Sequence, residues 1–272
     1  MLERFSKSYR IINKEKFVEK LINFSVDQDY FILLNSNNNS DKYDLLCGYG
    51  VKSFIKSSEN SLTKLDNFFE LKKDWLFGYM TYDLRNEIEV LNDDNIDFIN
   101  MPNLYFFQPE IVWFVKGKIV TGLSFEKDLI DNDWKKFNEI SKKEKTKNSS
   151  IVKLNLRNSK SEYINKVNKI KERIFRGDCY EMNFCFDLFS EYDEINPYDT
   201  YVKLNNYTKS PMSSFLKVND LFLISSSPER FLSKNGEEII SQPIKGTAKR
   251  GDSPEEDKKN INELLSSPKE LS

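Results

Sequence analysis

The sequence predicts an α+β fold in which antiparallel sheets are covered by helices. Three observations carry that expectation. Apolar and alternating segments meet at hairpin turns, at Lys116-Gly117, Asn219-Asp220 and Asn235-Gly236. Segments with helical spacing fall between groups of strands and do not alternate with them one by one as in βαβ chains. Neither G-x-G-x-x-G nor G-x-x-x-x-G-K-[ST] occurs, so the phosphate cradles of parallel nucleotide-binding sheets have no counterpart.

Taken in order, residues 1–140 read as a mixed α/β region. Phe17, Val18, Leu21 and Ile22 share one face of a helix over about Lys14–Phe24. A strand at Tyr30–Leu34 runs into the polar loop Asn35–Ser40, and strands follow at Leu45–Tyr49 and Val51–Ile55. Ser61 opens a helix carrying Leu62, Leu65 and Phe69, and Trp75–Leu84 reads as a longer strand. Glu110–Val115 and Lys118–Phe125 form a hairpin. Residues 141–150 are a basic low-complexity stretch without aromatic or Arg, which reads as a solvated linker and not as a nucleic-acid patch.

Residues 151–272 carry sharper punctuation. Ser159-x-x-Glu162 is a capping box ahead of Tyr163, Val167, Ile170 and Ile174, and Gly177 is placed to end that helix in a left-handed conformation. Cys179–Ser190 alternates, with Tyr180, Met182, Phe184, Phe186 and Leu188 on a core face and Glu181 and Asn183 on a polar one. A helix starts at Asn196-Pro197 and runs through Tyr201 and Leu204. Ser213–Val218, Leu221–Ser226 and Glu238–Ser241 read as antiparallel strands. Ser253-Pro254-x-Glu256 starts a last helix with Ile261, Leu264 and Leu265.

Composition excludes several chemistries. The 272 residues contain no histidine, which removes Ser-His-Asp and Cys-His catalysis and His-ligated metal from this stretch. Lys+Arg 41 against Asp+Glu 43 gives a net charge of −2, so no overall positive field draws the chain to nucleic acid or to an anionic membrane. Aromatic content of 14% fits a folded domain despite a mean hydropathy of −0.61. Cys47, Cys179 and Cys185 have no C-x-x-C spacing, no apolar run approaches the roughly 18 residues of a membrane span, and the start lacks a signal-peptide core. A reduced, cytoplasmic chain is the expectation.

The chemistry-bearing segment is Ser225–Arg250. Ser227-Pro228-Glu229-Arg230-Phe231 follows an apolar strand, and Pro243-Ile244-Lys245-Gly246-Thr247 comes twelve residues later. Two readings stand for each key residue. Glu229 is either a loop carboxylate paired with Arg230 or a rigidly held acid. Lys245 is either one of 33 surface lysines or a nucleophile. At a pKa of ~10.4 only about 0.04% of a lysine is neutral at pH 7, whereas near 7.5 about a quarter is. Desolvation or a neighbouring cation such as Lys249 or Arg250 supplies that kind of shift. A nearby protonated glutamate would deliver its proton to a leaving hydroxyl.

These two blocks, with Gly177-Asp178-Cys179-Tyr180-Glu181-Met182-Asn183 and Trp75–Leu84, resemble the signature of the chorismate-utilising enzymes. Within that family they are most similar to the aminodeoxychorismate synthase component I branch, which serves para-aminobenzoate and folate synthesis. The resemblance runs from about Trp75 to Ser272 and more weakly before it. It implies the N-terminal portion of a fold of two antiparallel sheets sandwiched together, with helices outside. It implies a reaction that replaces the 4-hydroxyl of chorismate by an amino group, with ammonia from a glutamine amidotransferase subunit.

By that resemblance Lys245 adds covalently to the ring and Glu229 is the acid for hydroxyl departure, while Gly246, Thr247 and Glu181 belong to the substrate pocket. Anthranilate synthases typically have alanine where Lys245 stands. Water-using relatives carry a base lysine at the position of Glu181, where the family more commonly has glutamine. The resemblance also implies Mg²⁺ in the full-length family member, with its ligands beyond Ser272. Residues 266–272 resemble a block that continues in relatives, so 151–272 is expected to be the first, incomplete part of the catalytic region, and the 272-residue chain to be inactive by itself. The alternatives are an anthranilate synthase component I, or a non-catalytic remnant that binds the amidotransferase.

Overall fold

A computed structural model describes residues 3–40, 42–89, 91, 96–140, 152–191, 195–244 and 246–268. The first part of the chain runs β1 (Phe5–Arg10), α1 (Lys14–Phe24), β2 (Tyr30–Asn35), β3 (Leu45–Tyr49), β4 (Ser53–Ser57), α2 (Ser61–Lys72), β5 (Phe77–Met80), β6 (Leu104–Gln108), β7 (Ile111–Lys116), β8 (Ile119–Ser124) and α3 (Lys127–Glu139). It continues as β9 (Asn155–Leu156), α4 (Lys160–Phe175), β10 (Leu188–Phe189), α5 (Pro197–Thr208), β11 (Met212–Val218), β12 (Leu221–Ser227), β13 (Arg230–Asn235), β14 (Glu238–Gln242) and α6 (Pro254–Ser266).

Two compact units emerge: Met1–Ser141 with Tyr201–Ser272, and Lys142–Thr200. The expected division into 1–140 and 151–272 is therefore crossed by a sheet. β11 pairs with β2, placing Phe215 opposite Leu33 and Leu216 opposite Ile32. The seven-stranded order is β1-β8-β7-β3-β2-β11-β12, and every pairing is antiparallel. A second antiparallel sheet has the order β4-β6-β5.

Period-two side-chain alternation explains how the sheets stack. Ile32, Val112, Leu216 and Val218 of the large sheet meet Phe77, Tyr79, Tyr105 and Phe107 of the small one in a shared core. Gly48 is required in that layer, because a Cβ there would lie 2.7 Å from the Phe77 ring. On the opposite face of the large sheet, Trp113 packs against Phe137 of α3, with ring centroids 5.3 Å apart. Phe17 and Phe24 of α1 meet the same ring edge-on. Asn13 caps α1 by accepting from the Lys16 amide at 2.7 Å.

Polar groups taken into this core are satisfied. Trp113 Nε1 donates to the Tyr49 hydroxyl at 2.9 Å, and that hydroxyl donates to Asp133 Oδ2 at 2.8 Å. Lys136 Nζ donates to Asp133 Oδ1 at 2.9 Å. Burial, then the charge of Asp133, pushes the Tyr49 hydroxyl well above its ordinary pKa. At the sheet end Arg4 makes three bonds to Asp74 and others to the Pro109 and Glu110 carbonyls, pinning the segment ahead of β1. Burial opposes ionisation of Asp74, but hydrogen bonds from Arg4, Gln108 and the Trp75 amide outweigh it and lower its pKa.

In Lys142–Thr200 the local signals hold. Ser159 Oγ accepts from the Glu162 amide and Glu162 Oε2 accepts from the Ser159 amide, completing the capping box. Gly177 sits at φ +80°, with its N–H on the Ile174 carbonyl and the Asp178 N–H on the Arg173 carbonyl, a Schellman termination.

The long strand expected over Cys179–Ser190 is corrected. Only Leu188–Phe189 is a strand, paired with Asn155–Leu156, and Tyr180 is 73% exposed. Alternation supplies strand propensity, but a strand exists only beside a neighbouring strand, and among the described residues no strand pairs with 180–187. Tyr163 instead contacts Phe184 and Phe186 locally. Trp75–Leu84 likewise contracts to β5 followed by a 3-10 turn over Tyr82–Glu87. Val51–Ile55 moves to Ser53–Ser57, after the turn at Gly50, where φ is +67°. The linker at 141–150 lies outside the described residues.

Candidate functional site

The β13–β14 hairpin sets the geometry of the two signature blocks. Its register places Arg230 opposite Gln242, and Arg230 Nε donates to Gln242 Oε1 at 3.0 Å. The turn at its far end uses Gly236 at φ +61°. Glu229 therefore leaves β12 at the end of the hairpin from which Pro243 departs. Ser227 fixes this corner: its Oγ accepts from the Glu229 amide at 3.1 Å and donates to the Glu229 carbonyl at 3.2 Å.

The alternative of a Glu229–Arg230 ion pair is not realised. The guanidinium is turned to Gln242, and among the described residues the exposed Glu229 carboxylate makes no ion pair or hydrogen bond. A cavity of about 370 Å³ opens beside the corner, lined by Asn39, Pro211, Met212, Pro228, Arg230, Gln242 and Ile244. Both signature blocks thus border one space, together with the start of β11.

Lys245 lies outside the described residues. Gly246 is half-buried and Thr247 exposed, on a segment with neither helix nor strand. The cations considered for tuning the lysine are both engaged. Lys249 pairs with Asp252 at 3.6 Å, and Arg250 grips both oxygens of Asp257 at 2.7 and 2.6 Å. Hydrogen bonding to Arg250, then to the Gly251 amide, holds the Asp257 carboxyl at about 2. With carboxylates beside them, Lys249 and Arg250 present much less positive charge to a neighbour than their sequence position suggests.

Glu181 belongs to the Lys142–Thr200 unit, on exposed backbone without a ladder. Among the described residues there is no group of three or more His, Cys, Asp or Glu placed to hold a metal, so these residues do not fit Mg²⁺ and no step is routed through it. No described helix is long and apolar enough to cross a membrane. Gln242 and Asp257 were not singled out from sequence. Strand pairing of the two blocks would have pointed to Gln242. The run Arg250-Gly251-Asp252-Ser253-Pro254 entering a helix with an acidic first turn was the available signal for Asp257.

A family model described as chorismate binding enzyme matches residues 25–272. Aminodeoxychorismate synthase component 1 of Escherichia coli (strain K12) is 32% identical over 112 residues, 41% of this chain and 24% of that protein. Anthranilate synthase component 1 of Lactococcus lactis subsp. lactis is 28% identical over 208 residues, 71% of this chain and 45% of that protein. The chain therefore spans less than half the length of these curated relatives. In three dimensions it is similar to MenF, the menaquinone-specific isochorismate synthase of Escherichia coli. The TM-score is 0.57 at 10% identity, over 99% of this chain and 61% of that one, a likeness of fold.

Proposed function

This chain belongs to the chorismate binding enzyme family, and on that premise we propose that it contributes the lysine–glutamate part of an aminodeoxychorismate synthase site. The reaction is chorismate plus ammonia to 4-amino-4-deoxychorismate plus water. A neutral Lys245 amine forms a C–N bond to the ring as the C4 hydroxyl leaves, and Glu229 gives that hydroxyl its proton so that it departs as water. Ammonia then forms its own C–N bond and releases the lysine amine. Gly246 gives the substrate close access to backbone and Thr247 offers a hydroxyl beside it. Ammonia comes from a glutamine amidotransferase subunit in the cytoplasm, and the product feeds para-aminobenzoate and folate synthesis.

The observation that supports this reading is the hairpin register. It sets Glu229 and Pro243 at one corner, where Pro228, Arg230 and Ile244 of the two blocks line a cavity. Lysine at position 245, where anthranilate synthases typically have alanine, favours amination at C4. The second reading, anthranilate synthesis, has its own support in the Lactococcus relative, which matches 71% of the chain, the same share as the aminodeoxychorismate synthase component 1 of Bacillus subtilis.

The test is a product assay with chorismate, ammonium and Mg²⁺. The 272 residues alone are expected to give no turnover, and steady turnover by them would overturn that part. In a polypeptide carrying the full length of the relatives, 4-amino-4-deoxychorismate is the expected product, and Lys245→Ala abolishes it. Anthranilate and pyruvate as products would establish the second reading. Near-normal turnover by Lys245→Ala would remove the covalent step.

A further inference from the structure

Residues 246–252 run from the signature block to α6 without a helical or strand ladder, so side chains must set their path. Four contacts do so. Asn260 Nδ2 donates to the Lys249 carbonyl at 2.9 Å. Arg250 donates through Nε and Nη2 to the two oxygens of Asp257. The Gly251 amide donates to Asp257 Oδ1 at 2.9 Å, and the Asp252 amide donates to Glu256 Oε2 at 2.7 Å.

The fit is also steric. A Cβ on Gly251 would lie 2.1 Å from the Asp257 backbone nitrogen, so only glycine lets the segment sit against the first turn of α6. That turn is itself fixed: Ser253 Oγ accepts from the Glu256 amide, Pro254 begins the helix, and Glu255, Glu256 and Asp257 complement its positive end.

We propose that Asp257 is a positioning residue for the Gly246–Thr247 edge of the site: it clasps Arg250 and the Gly251 amide, and so fixes the backbone that leaves this edge. Arg250 acts as a strut, because its fork is already filled by a carboxylate and is not directed at a substrate anion. This inference rests on the proposed chorismate site for its functional meaning, while the clasp itself can be tested without substrate.

Hydrogen exchange on the 272-residue chain provides that test. Asp257→Asn is expected to speed exchange at 246–252 about tenfold, with β2, β3 and β11 unchanged. Asp257→Glu is expected to restore protection, and the swap of Arg250→Asp with Asp257→Arg to restore it in part, because an arginine at 257 cannot accept from the Gly251 amide. Unchanged exchange at 246–252 in Asp257→Asn overturns the clasp, as does equal loosening in the single variant and in both rescue variants. In a polypeptide of the relatives' full length, Asp257→Asn raises KM for chorismate about tenfold with little change in kcat, and Asp257→Glu recovers most of it. An unchanged KM overturns the positioning role. A parent that neither binds nor converts chorismate would sink the chorismate reading instead, and the exchange result would still decide the clasp.

Discussion

β11 and the β13–β14 hairpin are separated by little more than ten residues, yet they occupy opposite extremes of burial. β11 lies between β2 and β12 and buries Ser213, Phe215, Leu216, Lys217 and Val218. Among the described residues the hairpin pairs only with itself, leaving Phe231 84% and Ile239 65% exposed. Both segments have the composition of strands. The difference teaches that position in β11 is set by a core, whereas position in the signature region is set by single hydrogen bonds: Ser227 to Glu229, Arg230 to Gln242, Asp257 to Arg250. Mutations should therefore separate the two regions cleanly.

The largest expected effect is in the core between the large sheet and its helices. Trp113→Ala removes a fully buried indole and should cost about 3–5 kcal/mol in a denaturant melt. Next comes Asp133→Ala, which strands the buried Tyr49 hydroxyl and should cost about 1–3 kcal/mol. A loss below 0.5 kcal/mol in either would mean that the core is not the determinant described above.

Acid sharpens the contrast further. The pKa of Asp74 is lowered in the fold, so its stabilising bond to Arg4 is fully present above the unfolded value of about 3.9 and is lost as pH falls below it. The melting temperature should fall on acidification below about pH 4, and Asp74→Asn should flatten that dependence. Asp257 obeys the same sign: its grip on Arg250 is present above about 3.9 and is lost as pH falls through about 2. Exchange at 246–252 should then rise in strong acid without a matching change in the core.

At the small end, Ser159→Ala deletes one half of the α4 capping box and should cost about 1 kcal/mol of local helix stability, read by exchange over 160–166. Phe231→Ala should change global stability by no more than about 0.5 kcal/mol, since that ring has little burial to lose. A multi-kcal/mol loss there would show that the hairpin is held by packing after all.

How much was legible follows the same division. α1, β3 and the opening of α4 were readable because their determinants lie within a few residues: a periodic face, a continuous apolar run, a capping box. The β7–β8 hairpin was readable from its Lys116-Gly117 turn. α3 has its own signal in the helical spacing of Ile130, Trp134 and Phe137, while β1 and β6 are defined by the strands they pair with. The residues of the proposed site, Glu229, Lys245, Gly246, Thr247 and Glu181, rest on motif resemblance. The Asp257 clasp does not, because its partners are joined through a helix start rather than a motif.

The sequence by itself determined the local structure and the family, since caps, turns and short blocks act over fewer than ten residues. The tertiary structure decided which alternating segments became strands and which cations were already neutralised. It also decided which motif ends share a corner. A strand needs a partner's amides and carbonyls, and an ion pair needs a second charge at contact distance. Neither can be read from one segment alone.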